Sequence, residues 1–172
     1  MAYKIKNGIV EDVIIGPSTD YAEAPISWDA IARVTGSDAT TTGQALVDVT
    51  GLTAPVVAAA TYEFEAVLQS VASADTNGYE VGVAVTQTPV SVLAVATGNT
   101  ATTTAASVAI VAAATATAAF NTTSGGKGIL VVKGVVQTHA TLAGTLSIQH
   151  LKVTSGTSTV KVGSSLKVRR IA

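Results

Sequence analysis

Cysteine is absent from the chain. That excludes a disulfide framework, a thiolate metal site and a cysteine nucleophile, and it leaves the compartment open. Charge is scarce: only 12% of the 172 residues carry one, about half the usual share. Aromatic residues make up 4% against 48% apolar overall, so a core has to be built from Val, Ala, Leu and Ile. A surface this thin in charge is a solubility hazard for a monomer, because near-neutral proteins associate. The composition therefore predicts a homo-oligomer in which other subunits cover part of the surface. A membrane-length apolar run is lacking too. The nearest approach, Ala105 to Phe120, is about 16 residues, rich in Ala and interrupted by Thr, short of the ~20 that a spanning helix needs. The opening alternates at Tyr3 to Lys6 instead of leading from a basic start into an apolar stretch, so no cleaved secretion signal is expected. The length suits one domain.

Acid is missing from more than half of the chain. Residues 1 to 80 hold all 11 acidic residues and only Lys4, Lys6 and Arg33, a net −8. Residues 81 to 172 hold seven bases and no acid, a net +7, and no formal charge lies between Glu80 and Lys127. One reading is a bipolar particle whose acidic end meets a basic surface. The other, favoured here, is that the two halves face each other within one sandwich and cancel, since antiparallel folds interleave distant strands. The bases are dispersed with no aromatics among them for stacking, so nucleic acid is not an expected partner.

What is present is alternation. The stretch from Leu142 to Ile171 reads as three short strands. Leu142, Leu146 and Ile148 mark one face of the first, Val160 and Val162 the second, Leu166 and Val168 the third, the period of a strand with one dry face. Breaks fall at Thr154-Ser155-Gly156 and Gly163-Ser164-Ser165. The clearest strand is Thr61 to Val71, with Tyr62, Phe64, Ala66 and Leu68 opposite Glu63, Glu65, Val67 and Gln69. After a turn at Asp75 to Gly78, Tyr79, Val81, Val83 and Val85 alternate again, and the two runs are expected to pair as a hairpin. Further strands are expected at Ala30 to Thr35, Gln44 to Thr50, Pro89 to Thr97 and Lys127 to Thr138. The last is apolar enough to be buried on both sides or in an interface. The Ala/Thr-rich region divides helix from strand propensity, and its alternation predicts a strand over Val108 to Phe120. Asn7-Gly8 between Tyr3, Ile5 and Ile9 suits a tight hairpin, within an opening of residues 1–28 that reads as a local hairpin or as an arm. Residues 29–172 then form one antiparallel β-sandwich of jelly-roll-like type.

Residues capable of chemistry are few and scattered. His139 and His150 have no carboxylate near them in the basic half, so a metal site is not expected; three copies of one histidine around a threefold axis are the exception left open. Asp20, Glu23 and Asp29 lack the ordered oxygen spacing of a calcium loop. No Gly-x-Ser-x-Gly elbow occurs. Gly125-Gly126-Lys127-Gly128 lacks the first spaced glycine, the Ser/Thr after the lysine and a following helix of a phosphate loop. Asn121-Thr122-Thr123 is a sequon without secretory context. No catalytic residue and no cofactor is expected, and the chain reads as a non-enzyme.

Thr61-Tyr62-Glu63-Phe64-Glu65-Ala66-Val67-Leu68, the Tyr79 to Val85 strand, Ala143-Gly144-Thr145-Leu146-Ser147-Ile148-Gln149 and Gly163-Ser164-Ser165-Leu166-Lys167-Val168-Arg169-Arg170-Ile171 together resemble a family of tailed-phage virion proteins. Similar modules close tail fibres, head fibres and capsid decoration proteins, and look like tumour-necrosis-factor-like jelly rolls. The likeness covers residues 30 to 172. It departs where many such modules have an aromatic after the strand's Gln; here His150 and Leu151 follow Gln149. The resemblance implies a trimer, and the chain, barely longer than the module and without a stalk, fits a small separate subunit. The expected function is a capsid decoration or cement protein, made in the bacterial host cytoplasm and carried on the virion surface. It would bind the major capsid protein through an arm bearing Tyr3, Ile5, Ile9, Val13 and Ile14. Trimer packing is expected over the uncharged Val90 to Phe120 region, and in particular at Val108, Ile110, Phe120, Val131 and Val135. The alternative is a receptor- or glycan-binding fibre tip.

Overall fold

A computed structural model describes residues 3–6, 9–13, 28–72, 78–99, 105–117, 119–120 and 127–172, and every regular element among them is a β-strand. β1 (Tyr3–Lys6) and β2 (Ile9–Val13) pair antiparallel as a small sheet flanking Asn7-Gly8, as the hairpin reading expects. The larger part is sandwich-like, with one sheet of eight strands and another of three.

The eight-stranded sheet is laid out on β6 (Thr61–Ala72). Its alternation turns Tyr62, Phe64, Ala66 and Leu68 into the core and leaves the residues between them outside. β10 (Lys127–Gln137) follows one edge of β6 along nearly its whole length. On the other edge the neighbour is divided. β13 (Ser165–Arg170) covers residues 62–67, and β12 (Ser158–Val160) covers 70–72. Outside these lie β3 (Ala30–Arg33) on β13 and β4 (Ala39–Thr41) on β12. Beyond β10 come β8 (Ser91–Asn99) and then β9 (Ala105–Ile110). The second sheet is β5 (Val47–Val56), β11 (Gly144–Lys152) and β7 (Tyr79–Val85), in that order.

The break between β12 and β13 leaves no amide stranded. Gly163 takes φ +94° to turn the chain. Across it the Gln69 amide donates to the Ser164 hydroxyl at 2.9 Å, and the Gln69 carbonyl accepts from Lys161 N–H at 2.8 Å. The Val162 amide donates to Asp38 Oδ1 at 3.0 Å. Backbone groups inside a fold need such partners, and here two short polar side chains supply them.

The core lies between the sheets. From one side come Phe64, Leu68, Leu130, Val132 and Leu166; from the other, Val49, Leu52, Val81, Val83, Leu146 and Ile148. Tyr79 and Phe120 meet with ring centroids 6.2 Å apart. One buried polar residue ties the loops at the end of β10: the Thr138 hydroxyl accepts from Ala60 N–H at 3.0 Å and lies 2.8 Å from the Val57 carbonyl. Thr138→Val keeps the shape and removes both bonds. It should lower the unfolding free energy by about 1–3 kcal/mol, read as a fall in urea midpoint at unchanged m-value. An unshifted midpoint would show that the hydroxyl is replaceable.

Three expectations are corrected. β6 and β7 do not form a hairpin, because they lie in different sheets, β6 between β10 and the β12/β13 pair and β7 beside β11. Each carries a row of large apolar side chains, and placing the rows in opposed sheets buries both against each other. The strand expected over Val108 to Phe120 ends at Ile110. Past it Ala114, at φ +54°, turns the chain across to the other sheet. There Ala114 N–H and Thr117 N–H donate to Val83 O and Val81 O at 2.8 and 2.9 Å, and Phe120 bridges Tyr79. The Thr117 hydroxyl also accepts from Val81 N–H, so Ala114, Thr117 and Phe120 line the edge of β7 away from β11. The strand expected over Gln44 to Thr50 begins at Val47 and runs on through Gly51 and Pro55 to Val56, and β4 precedes it in a stretch where no strand was expected. Pro55 is tolerated because β5 is an edge strand.

Candidate interaction surface

The outer face of the eight-stranded sheet divides into an ionic half and an apolar half. The ionic half lies over β6, β10 and β13. Arg169 Nη2 stands 2.7 Å from Glu63 Oε1, Lys133 Nζ 2.8 Å from Glu65 Oε2, and Lys167 Nζ 3.8 Å from the same carboxylate. Trp28 lies under the two basic chains, its ring centre 5.8 Å from Lys167 Nζ and 6.0 Å from Arg169 Cζ. On the β4–β12 side Lys161 holds Asp38 at 2.6 Å. In each of these pairs the acid comes from the first 80 residues and the base from beyond residue 127, as the reading of mutually cancelling halves expects. The Lys133 ammonium, followed by Lys167, holds the Glu65 carboxyl below its ordinary range, and the Lys161 hydrogen bond does the same for Asp38. Exposed pairs of this kind add little stability; they leave this half locally neutralised.

The apolar half lies over β8, β9 and the adjoining part of β10. On β8 the usual arrangement of sizes is reversed. Val92, Ala94 and Ala96 turn inward, while Leu93 and Val95 point outward, 62% and 45% exposed. Register places Leu93 beside Val135, Val95 beside Ala109, and Thr97 between Val131 and Ser107. Val111 and Ile129 extend the patch at 70% and 67% exposure. A shallow depression of about 310 Å³ runs between Leu93, Val95, Ala109, Val111 and Lys133. The close approach of β8 to β10 depends on Gly134, whose missing Cβ would stand 2.5 Å from the Leu93 carbonyl oxygen. Among the described residues β9 pairs on one edge only, with β8.

Of the residues expected at a trimer contact, Val131 and Val135 lie on this outer face. Ile110 and Phe120 are buried in the chain's own core, and Val108 packs against it. Leu93, Val95 and Val111 fall within the expected Val90 to Phe120 region without being named in it, and Ile129 lies outside it. The signal available for them was a strand apolar on both faces with its larger side chains on the odd positions. Of the arm residues, Tyr3 and Ile5 lie in β1 and Ile9 and Val13 in β2, with Tyr3 opposite Val13; Ile14 lies outside the described residues.

The residues weighed for chemistry are placed apart. His150 is buried, its Nδ1 3.2 Å from the Ser158 hydroxyl, and burial pulls its imidazole down to about 4. His139 Nδ1 accepts from the amides of Thr141 and Leu142, both at 3.1 Å, and so closes a turn. Asp29 accepts from the Arg170 amide. Burial raises the Tyr79 phenol to about 12, with the Ser70 hydroxyl opposing, and raises the Glu80 carboxyl. Among the described residues no three His, Cys, Asp or Glu side chains gather as metal ligands; Asp20, Glu23, Asn121 to Thr123 and Gly125-Gly126 lie outside them. No protein-family model, no curated protein and no solved structure matches the chain.

Proposed function

We propose that the chain is a structural subunit of a tailed-phage virion, a decoration or cement protein that sits as a trimer on the capsid and ties neighbouring capsomers together. The observation that carries this is the apolar half of the outer face, where Leu93, Val95, Val111, Ile129 and Val135 stand exposed on a chain that has little charge to keep it apart from others. The strand order supports a jelly roll. Taking β3, β5, β6, β7, the segment that carries Ala114, Thr117 and Phe120, β10, β11 and the β12/β13 pair as strands one to eight, one sheet reads one-eight-three-six and the other two-seven-four-five. This is the interleaving that two Greek keys produce; β8 and β9 extend the first sheet past strand six.

In this reading residues 29–172 are the sandwich and residues 1–28 the arm that engages the major capsid protein. The work done is mechanical. About 800 Å² buried per partner makes a lasting contact, and a trimer engaging several capsomers at once gains further from multivalency. The shell then resists the pressure of packaged DNA. Purified protein mixed with shells that lack it should co-sediment with them, and its copy number per virion should match the capsomer junctions. An assembled trimer that leaves such shells bare would overturn the proposal. A handful of copies per particle, with binding on a glycan array, would point to a fibre tip instead.

A further inference from the structure

We infer that copies of this chain meet each other through the apolar half of the outer face, with Leu93, Val95, Val111 and Val135 at the centre of the contact. The inference rests on the proposed role as a self-associating subunit and names the surface responsible. Seven paired residues along β8 and β10, at roughly 3.4 Å each, and three strands about 4.8 Å apart outline a patch of roughly 24 by 14 Å. That is the apolar centre of a standard interface, which gives about 800 Å² per partner and surrounds its dry middle with a polar rim. The rim is present here. Thr97 and Ser107 share a hydrogen bond at 3.0 Å, and Lys133, which stands beside Val95, is turned to Glu65 on the far side of β10.

The chemistry of the patch selects its occupant. Its one ionisable group, Lys133, is already paired, so a nucleic acid or a strongly charged protein finds nothing there to grip. The counterpart has to be apolar and uncharged, and every further copy of the chain brings such a surface at equal concentration. Beside the patch runs β9, Ala105–Ile110, AASVAI, whose second edge has no strand partner among the described residues. It has no charge, no proline and no register shift against β8, three of the devices that protect an edge strand. A contact between copies over β8–β10 places this edge at or beside the interface.

The test is sedimentation velocity on the purified full chain at micromolar concentration, without shells. Wild-type protein should sediment as an oligomer. Leu93→Lys should weaken self-association at least about 100-fold, because it puts an unpaired charge at a dry centre, and should sediment as a monomer with an unchanged far-UV circular dichroism spectrum. Val162→Lys, on an exposed residue between β12 and β13, should leave the oligomer intact. Should Leu93→Lys fail to fold, the double variant Leu93→Thr/Val95→Thr, which keeps strand-forming residues, should show the same dissociation. A monomeric wild type, or variants that keep the wild-type mass, would overturn the inference. A monomer that still coats shells would sink the self-contact and spare the decoration role; an intact oligomer that leaves shells bare would do the reverse.

Discussion

Gly51→Ala should destabilise the fold by about 2–5 kcal/mol, the sum of left-handed backbone strain of about 1–2 kcal/mol and overpacking of about 1–3 kcal/mol. Gly51 takes φ +90°, and a Cβ placed there would stand 2.6 Å from the Arg33 carbonyl oxygen and 3.3 Å from Val34 Cα. Both obstacles are backbone, so neither swings aside. The residue lies in β5 where its pairing to β11 changes register, at the point where the strand passes β3. Gly36→Ala separates the two contributions. Gly36 has φ +78° with nothing within 4 Å of the added carbon, so it should show the strain alone, about 1–2 kcal/mol. Urea titrations of both variants give the comparison, and equal losses would show that the β3–β5 approach relaxes freely.

A second large effect should appear on acidification. The His150 imidazole is held at about 4 by burial against an ordinary 6.5, so the unfolded chain takes up a proton that the folded chain refuses. Its contribution is complete above pH 6.5 and is lost as the pH falls towards 4, a total of about 3 kcal/mol. The lowered carboxyls of Asp38 and Glu65 lose their contributions lower still, below the ordinary carboxylate range. The raised Glu80 works in the opposite sense, favouring the folded chain as acid protonates it. His150→Gln retains a polar group opposite Ser158 and has nothing to titrate. Its stability should be nearly flat between pH 6.5 and 4, where the parent falls by close to one proton's worth per pH unit. Parallel curves for the two proteins would show that His150 stays accessible to protons in the folded state.

Strict alternation with large inward residues made β6, β11 and β13 legible, because Phe64, Ile148 and Leu166 leave one side as the dry one, whereas β10 was legible only as a long apolar run. Alternation tells which way a side chain points and not which sheet its strand joins, and so the β6–β7 hairpin failed. β5 was cut short because Gly51 and Pro55 resemble a stop; one supplies a bulge and the other sits on an edge. The crossing that follows Ile110 was hidden by low complexity, since Ala and Thr fit either a ladder or the path that brings Ala114 and Thr117 to β7. The interaction surface was half visible. Val131 and Val135 belong to an apolar run whose length suggests an interface, whereas Leu93 and Val95 share a strand with Val92 and Ala94, where hydrophobicity alone separates nothing. Ile110 and Phe120 were assigned outward and lie inward, because the small residues around them leave the interior in need of bulk.

The divided neighbour of β6 bears on how a ribosome makes this protein. β6 is synthesised as residues 61–72, yet β12 and β13, which complete one of its flanks, come about a hundred residues later. Closure over such a separation is slow and entropically demanding. A nascent chain therefore carries a nearly finished sheet with one side bare, and that interval, more than the finished molecule, is when a chaperone has most to shield.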